Sequence, residues 1–392
     1  MRQSRKKWER RREVHRNKLA AVIFVIMMIA FCVVNLATGD REFSATENRA
    51  LEQRPELTIS GLESGRWMEQ YESYVSDQFA GRDFWVVLKS RVDLLAGKRK
   101  ANGVFKGKDH YLLEDIAKPD EDQLKENLSA MKKFQKQYKD IPMYMMLVPN
   151  AANIESDKLP GYAVTENQEK QFKAIHSTLG SAYTWVDVSD ILKKHRSEEI
   201  YYHTDHHWTT LGAYYGYQAL SKSMKLDTSK TSDMKPYAVT NAFNGTLAST
   251  SGYETGYEEP IYIYAPDNLK NATEDVVNNV NEKKKTATLY DTSKLKGKDK
   301  YALFLGGNYP ILDIKTTADS TDRLLIIKDS YANSLIPFLI PYYREIVVVD
   351  PRYYYDDIEK VMKKDNITSV LFLYNGNTFV KDNSISGVLQ ND

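Results

Sequence analysis

Three short runs leave this chain few choices of fold: Leu324-Leu325-Ile326-Ile327, Ile346-Val347-Val348-Val349 and Ser369-Val370-Leu371-Phe372-Leu373. An extended run of this kind puts apolar groups on both faces, so both faces must be covered, as in a parallel sheet between helices. The stretches between them suit helices, at residues 333–340 and 357–364. Upstream the same alternation is predicted, with helices at 120–138 and 166–179, a buried strand at 143–148 and a short strand at 185–188. A helix around 191–195 then leads to a strand-like 200–202. Thr209 or Thr210 is placed to cap a further helix to about Met224, with Tyr214, Tyr217, Leu220 and Met224 on one stripe. Alternating elements imply a doubly wound α/β architecture with a parallel sheet.

The rest divides by composition. Residues 226–318 are rich in Thr, Asn, Asp, Gly, Tyr and Lys, with short β-like runs at 261–264, 286–289 and 302–305, and read as a β-rich insertion. Residues 281–285 read as a charged loop. Residues 65–97 carry two helical patterns, the first on Trp67, Tyr71, Tyr74, Val75 and Phe79. Residues 104–113 resemble a hairpin, and 38–64 an extended linker.

Leu19 to Ala37 holds no charge, and only Asn35 is polar. Roughly 20 apolar residues cross a bilayer. Residues 1–18 carry nine basic side chains against Glu9 and Glu13. A basic flank stays cytoplasmic, which predicts a basic tail at 1–18, a signal anchor at 19–37 and an exported domain at 65–392. A cleaved signal peptide is the rival reading. The formal net charge of +1 gives no reason to expect a nucleic-acid partner. The single cysteine, Cys32, lies inside the apolar run. The exported part therefore has no disulfide, no thiol nucleophile and no thiolate zinc site, which fits a bacterial envelope protein.

Chemistry concentrates in Tyr201-Tyr202-His203-Thr204-Asp205-His206-His207-Trp208. The segment lies between a predicted strand and a helix, where α/β sheets gather their sites. A hydroxyl nucleophile needs an imidazole base and a carboxylate that orients it. Residues two apart in an extended or turning segment point the same way. That spacing pairs His207 as base with Asp205 as orienter and leaves His206 and Trp208 to structure. Two other readings stay open: a buried, hydrogen-bonded histidine cluster, and a divalent-metal site on His203, Asp205 and His207.

Ser330 is the candidate nucleophile. It follows the buried strand 324–327 through Lys328-Asp329 and precedes a predicted helix, so helix-terminal amides would face an oxyanion. Its structural alternative is a helix cap. Candidate oxyanion donors are Asn377, then Asn375, then Asn308, each also a common turn residue. Arg352 is placed to bind a substrate carboxylate or sugar, or to form a surface ion pair.

Asp205-His206-His207-Trp208 resembles the signature of the DHHW family, bacterial proteins similar to alginate O-acetyltransferases with SGNH-hydrolase-like domains. Glu47-Asn48-Arg49-Ala50-Leu51, Ser76-Asp77-Gln78-Phe79, Phe304-Leu305-Gly306-Gly307-Asn308 and Lys328-Asp329-Ser330-Tyr331-Ala332-Asn333-Ser334 resemble further blocks of that family. The resemblance implies a three-layer α/β/α SGNH-hydrolase-like fold, with the Asp-x-His pair ahead of the serine. It implies O-acyl transfer, most often acetyl, onto a cell-surface or secreted polysaccharide without a cofactor. It also implies a partner, a membrane-bound O-acyltransferase that hands the acyl group across the membrane. Lys328 stands where ordinary SGNH enzymes have glycine, and their Asn-Asp oxyanion block has no clean counterpart. An acetylesterase with the same residues, and a non-catalytic polysaccharide-binding or export protein, remain alternatives.

Overall fold

The computed structural model describes residues 2–44, 49–267 and 274–390. Met1, Glu47 and Asn48 of the first family block, and residues 268–273 of the predicted insertion lie outside them. The chain divides into two compact units, residues 1–92 and 93–392.

The first unit opens with helix α1, Arg2–Ala37, which contains the apolar run. Among the described residues, its part Arg12–Ala37 is the one helix long and apolar enough to cross a membrane, with an 18-residue stretch of mean hydropathy 2.9. The predicted linker is partly structured. Phe43–Ser44 pairs with Arg49–Ala50, and Thr58 caps a short helix, Ile59–Glu63, by accepting from Gly61 N at 3.1 Å. Helices α2, Arg66–Asp77, and α3, Arg82–Leu95, follow. The contacts move the expected boundary at residue 64 to residue 92, because these helices pack on the end of α1. The Phe31 ring lies 6.3 Å from Phe79 and 5.9 Å from Trp85. Asn35 also finds its partners here. Its amide donates to Phe31 O and accepts from Ala80 N, both at 2.8 Å.

The second unit is built on an eight-stranded sheet. In chain order its strands are β1 Met143–Val148, β2 Thr184–Trp185, β3 Asp275–Asn279, β4 Lys284–Thr286, β5 Ile311–Thr316, β6 Arg323–Lys328, β7 Glu345–Val349 and β8 Ser369–Asn375. Their spatial order is β4-β3-β5-β7-β6-β8-β1-β2. The five strands from β7 to β2 run parallel, with Ile326 opposite Val348 on one side and Leu371 on the other.

Alternate residues explain the unbroken apolar runs. Leu324, Ile326, Ile346, Val348 and Leu371 face a layer holding Tyr217, Leu220 and Phe338. Leu325, Ile327, Val347, Val349 and Phe372 face Met131, Phe134, Phe172 and Val361. The second layer consists of helices α4 Glu121–Gln137, α5 Gln168–Leu179 and α7 Ile358–Lys364. The first contains α6, Thr210–Met224, capped by Thr209. This is the expected three-layer α/β/α arrangement. Each buried aliphatic side chain is worth about 1.5–3 kcal/mol, which fixes the strand ends on which the site depends.

The structure corrects two local expectations. Residues 330–342 form two 3₁₀ stretches, Ser330–Ser334 and Ile336–Tyr342, in place of one α-helix. Pro337 and Pro341, four residues apart, each lack the amide an α-helix needs there. The insertion is β-rich as expected, and its strands β3, β4 and β5 extend the main sheet with antiparallel pairing. The β-like run at 302–305 is a 3₁₀ turn, Lys300–Leu303. The insertion also holds a ribbon of Met234–Phe243 paired with Glu259–Pro266, with a short helix, Thr246–Ser251, between its strands.

Candidate active site

The site lies beyond the carboxyl ends of the parallel strands. After β6, Asp329 caps the 3₁₀ turn by accepting from Tyr331 N at 2.9 Å. Its other oxygen accepts from Asn375 N, also at 2.9 Å, which ties the turn to the end of β8. Burial raises the Asp329 pKa above the ordinary carboxylate value, against the pull of Arg352 and these amides. Ser330 opens the turn and is only partly buried.

The Asp205–Trp208 segment folds against this turn as a tight loop. A single bridge between Tyr201 and Trp208 replaces the predicted strand at 200–202. Trp208 is fully buried, and its indole donates to Tyr331 O at 3.0 Å and Ser334 Oγ at 3.1 Å. One side chain therefore holds the histidine loop to the serine turn. Glycines on α6 make room for it, because a Cβ at Gly216 would enter the Trp208 ring and one at Gly212 would strike Ile200 O.

Within this frame, His207 Nδ1 lies 2.6 Å from Asp205 Oδ1, and His207 Nε2 lies 2.7 Å from Ser330 Oγ. Asp205 is acceptor-only when ionised, so Nδ1 carries the proton and Nε2 is left to accept from the serine hydroxyl. Asp205 Oδ1 also accepts from His207 N at 3.0 Å. Its Oδ2 accepts from Thr246 N at 2.8 Å and from Thr246 Oγ1 at 2.9 Å. Burial opposes ionisation of Asp205, but the two imidazoles and these hydrogen bonds outweigh it and hold its pKa well below the usual carboxylate range.

His206 takes a different place. Its Nδ1 lies 2.8 Å from Thr246 Oγ1, whose own proton is directed to Asp205, so His206 donates there. Burial, then the neighbouring His207, lowers its pKa. The sequence-based metal set is not assembled. His203 turns away to Glu259, with Nδ1 3.2 Å from its carboxylate, and packs on Tyr111. Ligand atoms of Asp205, His206 and His207 instead lie within 4.8 Å of one another. In that group His207 already faces both Asp205 and Ser330.

The structure brings Asp205, His207 and Ser330 together but engages the predicted amide donors elsewhere. Asn377 accepts from Ala117 N and donates to Asp115 O, both at 2.8 Å. Asn375 caps helix α8, Gly376–Lys381, by accepting from Asn377 N, and donates to Val148 O at 3.3 Å. Asn308 accepts from Lys328 Nζ at 2.8 Å and from Asn333 Nδ2 at 3.2 Å, and its own NH2 group has no partner among the described residues. Arg352 grips Asp350 with two bonds of 2.8 and 2.6 Å.

Asp350 is fully buried and also lies 3.4 Å from Lys328 Nζ. This accounts for a lysine ahead of Asp329. Its burial is offset by Asp350 and Asn308, although desolvation still lowers its pKa. Two further residues escaped the sequence reading. Thr246 braces Asp205, and Tyr301 stacks on His207 with ring centroids 3.7 Å apart and an angle of 10°. The Tyr301 hydroxyl reaches Ser330 O at 3.2 Å. Both residues come from the insertion, whose turn-rich composition carries no motif.

Comparisons with known proteins place the chain in a family and give its fold. The sequence matches the DHHW protein family over residues 122–349, more than half of the chain and a span that contains Asp205, His207 and Ser330. A DHHW family protein from Eubacterium siraeum DSM 15702 is 25% identical, with a TM-score of 0.60 over 73% of this chain and 95% of that one. Bacillus cereus PatB1 is 21% identical, with a TM-score of 0.60 over 73% of this chain and 99% of its own. A PatB1 structure with a sulfonyl adduct gives 22% identity and a TM-score of 0.59 over 73% and 97%. The PatB1 likenesses are likenesses of fold. No curated protein matches the sequence. The family match covers the histidine loop, the serine turn and four of the five parallel strands, and the chain belongs to the DHHW family.

Proposed function

We propose that this chain is a membrane-anchored, extracytoplasmic O-acyltransferase that places an acyl group, most simply acetyl, on a cell-surface or secreted polysaccharide. The observation that carries the reading is the line Asp205–His207–Ser330, with its two bonds of 2.6 and 2.7 Å. In this reading Ser330 Oγ attacks the acyl carbonyl while His207 Nε2 takes its proton. His207 returns that proton to the departing donor oxygen, leaving an acyl-serine. A sugar hydroxyl then attacks the acyl-serine, gives its proton to His207, and Ser330 regains one as it leaves. Asp205 holds the imidazole tautomer, and the Tyr301 face supports the imidazolium formed in each half. The Ser330 amide at the head of its turn is the first oxyanion donor, and of the three asparagines Asn308 is the one whose NH2 is left free to assist. Arg352, anchored by Asp350, stands as the cation for an anionic sugar.

The acyl donor is a membrane-bound O-acyltransferase, on family resemblance. Helix α1 is the uncleaved anchor that would bring the chain beside it. The test uses a sulfonyl fluoride probe and a small acetyl ester. Native protein should be labelled at Ser330 and turn the ester over. Ser330→Ala should keep its circular dichroism and melting profile but lose labelling and about ten-thousandfold in turnover. Undiminished turnover would refute the serine mechanism. A defined cell-wall oligosaccharide that gains acetyl identifies transfer, whereas one that only loses acetyl identifies an esterase.

A further inference from the structure

In the first unit, large apolar side chains are exposed every few residues from Leu57 to Val92, whereas in residues 93–390 they are few and scattered. On α3, Phe84, Trp85, Leu88 and Val92 are all exposed, Phe84 at 63%. Their spacing of one, four and eight residues puts them on one face. On α2, Met68, Tyr71 and Val75 make a second exposed stripe. A water-facing helix pair has no use for two such stripes, and contiguous exposed apolar surface marks an interaction site.

The occupant follows from where the pair is attached. Phe31 and Asn35, which hold Phe79, Ala80 and Trp85, lie in the last two turns of the apolar run. Six residues of helix rise about 9 Å. If α1 spans a bilayer up to Ala37, then Phe79 and Trp85 sit at the depth of its outer headgroups and upper acyl chains. Beside them Trp67 stacks on Tyr71, with centroids 4.9 Å apart, and Tyr74 lies tilted against Tyr71 at 5.8 Å. Amphipathic rings of this kind favour the membrane interface. Between the end of α1 and the pair lies a cleft of about 760 Å³, lined mainly by Met28, Phe31, Tyr71, Val75, Phe79 and Trp85 with Asn35, Asp40 and Gln78 among its polar residues.

We propose that α2 and α3 form an interfacial collar, with the Phe84–Val92 and Met68–Val75 stripes immersed in the outer leaflet around the exit of α1. The proposal rests on the reading of α1 as an uncleaved anchor, and the experiment separates the two. Nitroxide labels are placed on Phe84→Cys, Leu88→Cys, Val92→Cys and Ser73→Cys in a Cys32→Ser background, and on native Cys32, in the full chain reconstituted into phosphatidylethanolamine and phosphatidylglycerol vesicles. Ser73 is an exposed position on the polar side of α2. Labels at 84, 88 and 92 should relax with oxygen, as Cys32 does, and lose relaxation by a water-soluble nickel chelate, while Ser73 responds to nickel. If 84, 88 and 92 respond to nickel while Cys32 does not, the anchor stands and the collar fails. If Cys32 also responds to nickel, both fail. If 84, 88 and 92 respond to neither reagent, protein covers the stripes and the lipid assignment is overturned.

Discussion

Asp205 accepts from His207 Nδ1 and the His207 backbone amide and from both the amide and the hydroxyl of Thr246, so its position decides where the imidazole points. The chain has left no slack behind it. A Cβ added at Gly245 would fall on the Asp205 carboxylate. Gly245→Ala should therefore push Asp205 aside and misalign His207, with ester turnover falling about a hundredfold and Ser330 still present and soluble. Steady-state kinetics on the acetyl ester measure this, and unchanged turnover would show that Asp205 does not orient the base. The spacing of Asp205 and His207 was readable from sequence because two residues set a side chain's direction. Gly245, Thr246 and Tyr301 were not, because a turn-rich segment gives no clue to what lies across from it. The asparagines misled for a related reason. Asn375 and Asn377 sit at the right strand end, but capping and loop bonds already engage their amides.

At the scale of elements, the central parallel strands were legible because burial on both faces leaves runs of four or more consecutive apolar residues. The 3₁₀ stretches after Ser330 were not, since apolar composition hid what Pro337 and Pro341 forbid. Nor did composition reveal that β3, β4 and β5 join the main sheet, because register is a property of pairs of strands. The packing of Trp208 on α6 makes a prediction at this scale. Gly216→Ala puts a methyl into the indole ring, and overpacking of this kind costs about 1–3 kcal/mol. Thermal or urea unfolding should show that loss. Because Trp208 also ties the two halves of the site, sulfonyl labelling of Ser330 should slow in the same variant.

Taken whole, the molecule has a preferred pH range set by a few buried carboxyls. Asp205 has a folded pKa below its ordinary 3.8, so its contribution is present above that value and lost as pH falls further. Glu155 behaves oppositely. Burial lifts it from 4.5 to about 7, and one of its carboxylate oxygens has no hydrogen-bond partner. The unfolded chain releases this proton from about pH 4.5 upward while the folded chain holds it until about 7, so stability falls across that interval. Glu155→Gln should raise the melting temperature at pH 8 and lose its advantage below about pH 4.5. Melting curves across the range test the sign, and an equal gain at every pH would contradict it.

The ends of the eight-stranded sheet have a further consequence. On one side it stops at the three residues Lys284-Lys285-Thr286, and on the other at the two residues Thr184-Trp185. Exposed strand edges template amyloid-like addition of further strands, and short or lysine-bearing edges resist it. With a single cysteine, Cys32, the chain has no internal disulfide to lock the fold, and these blunt ends resist the zipping of one copy's sheet onto another's.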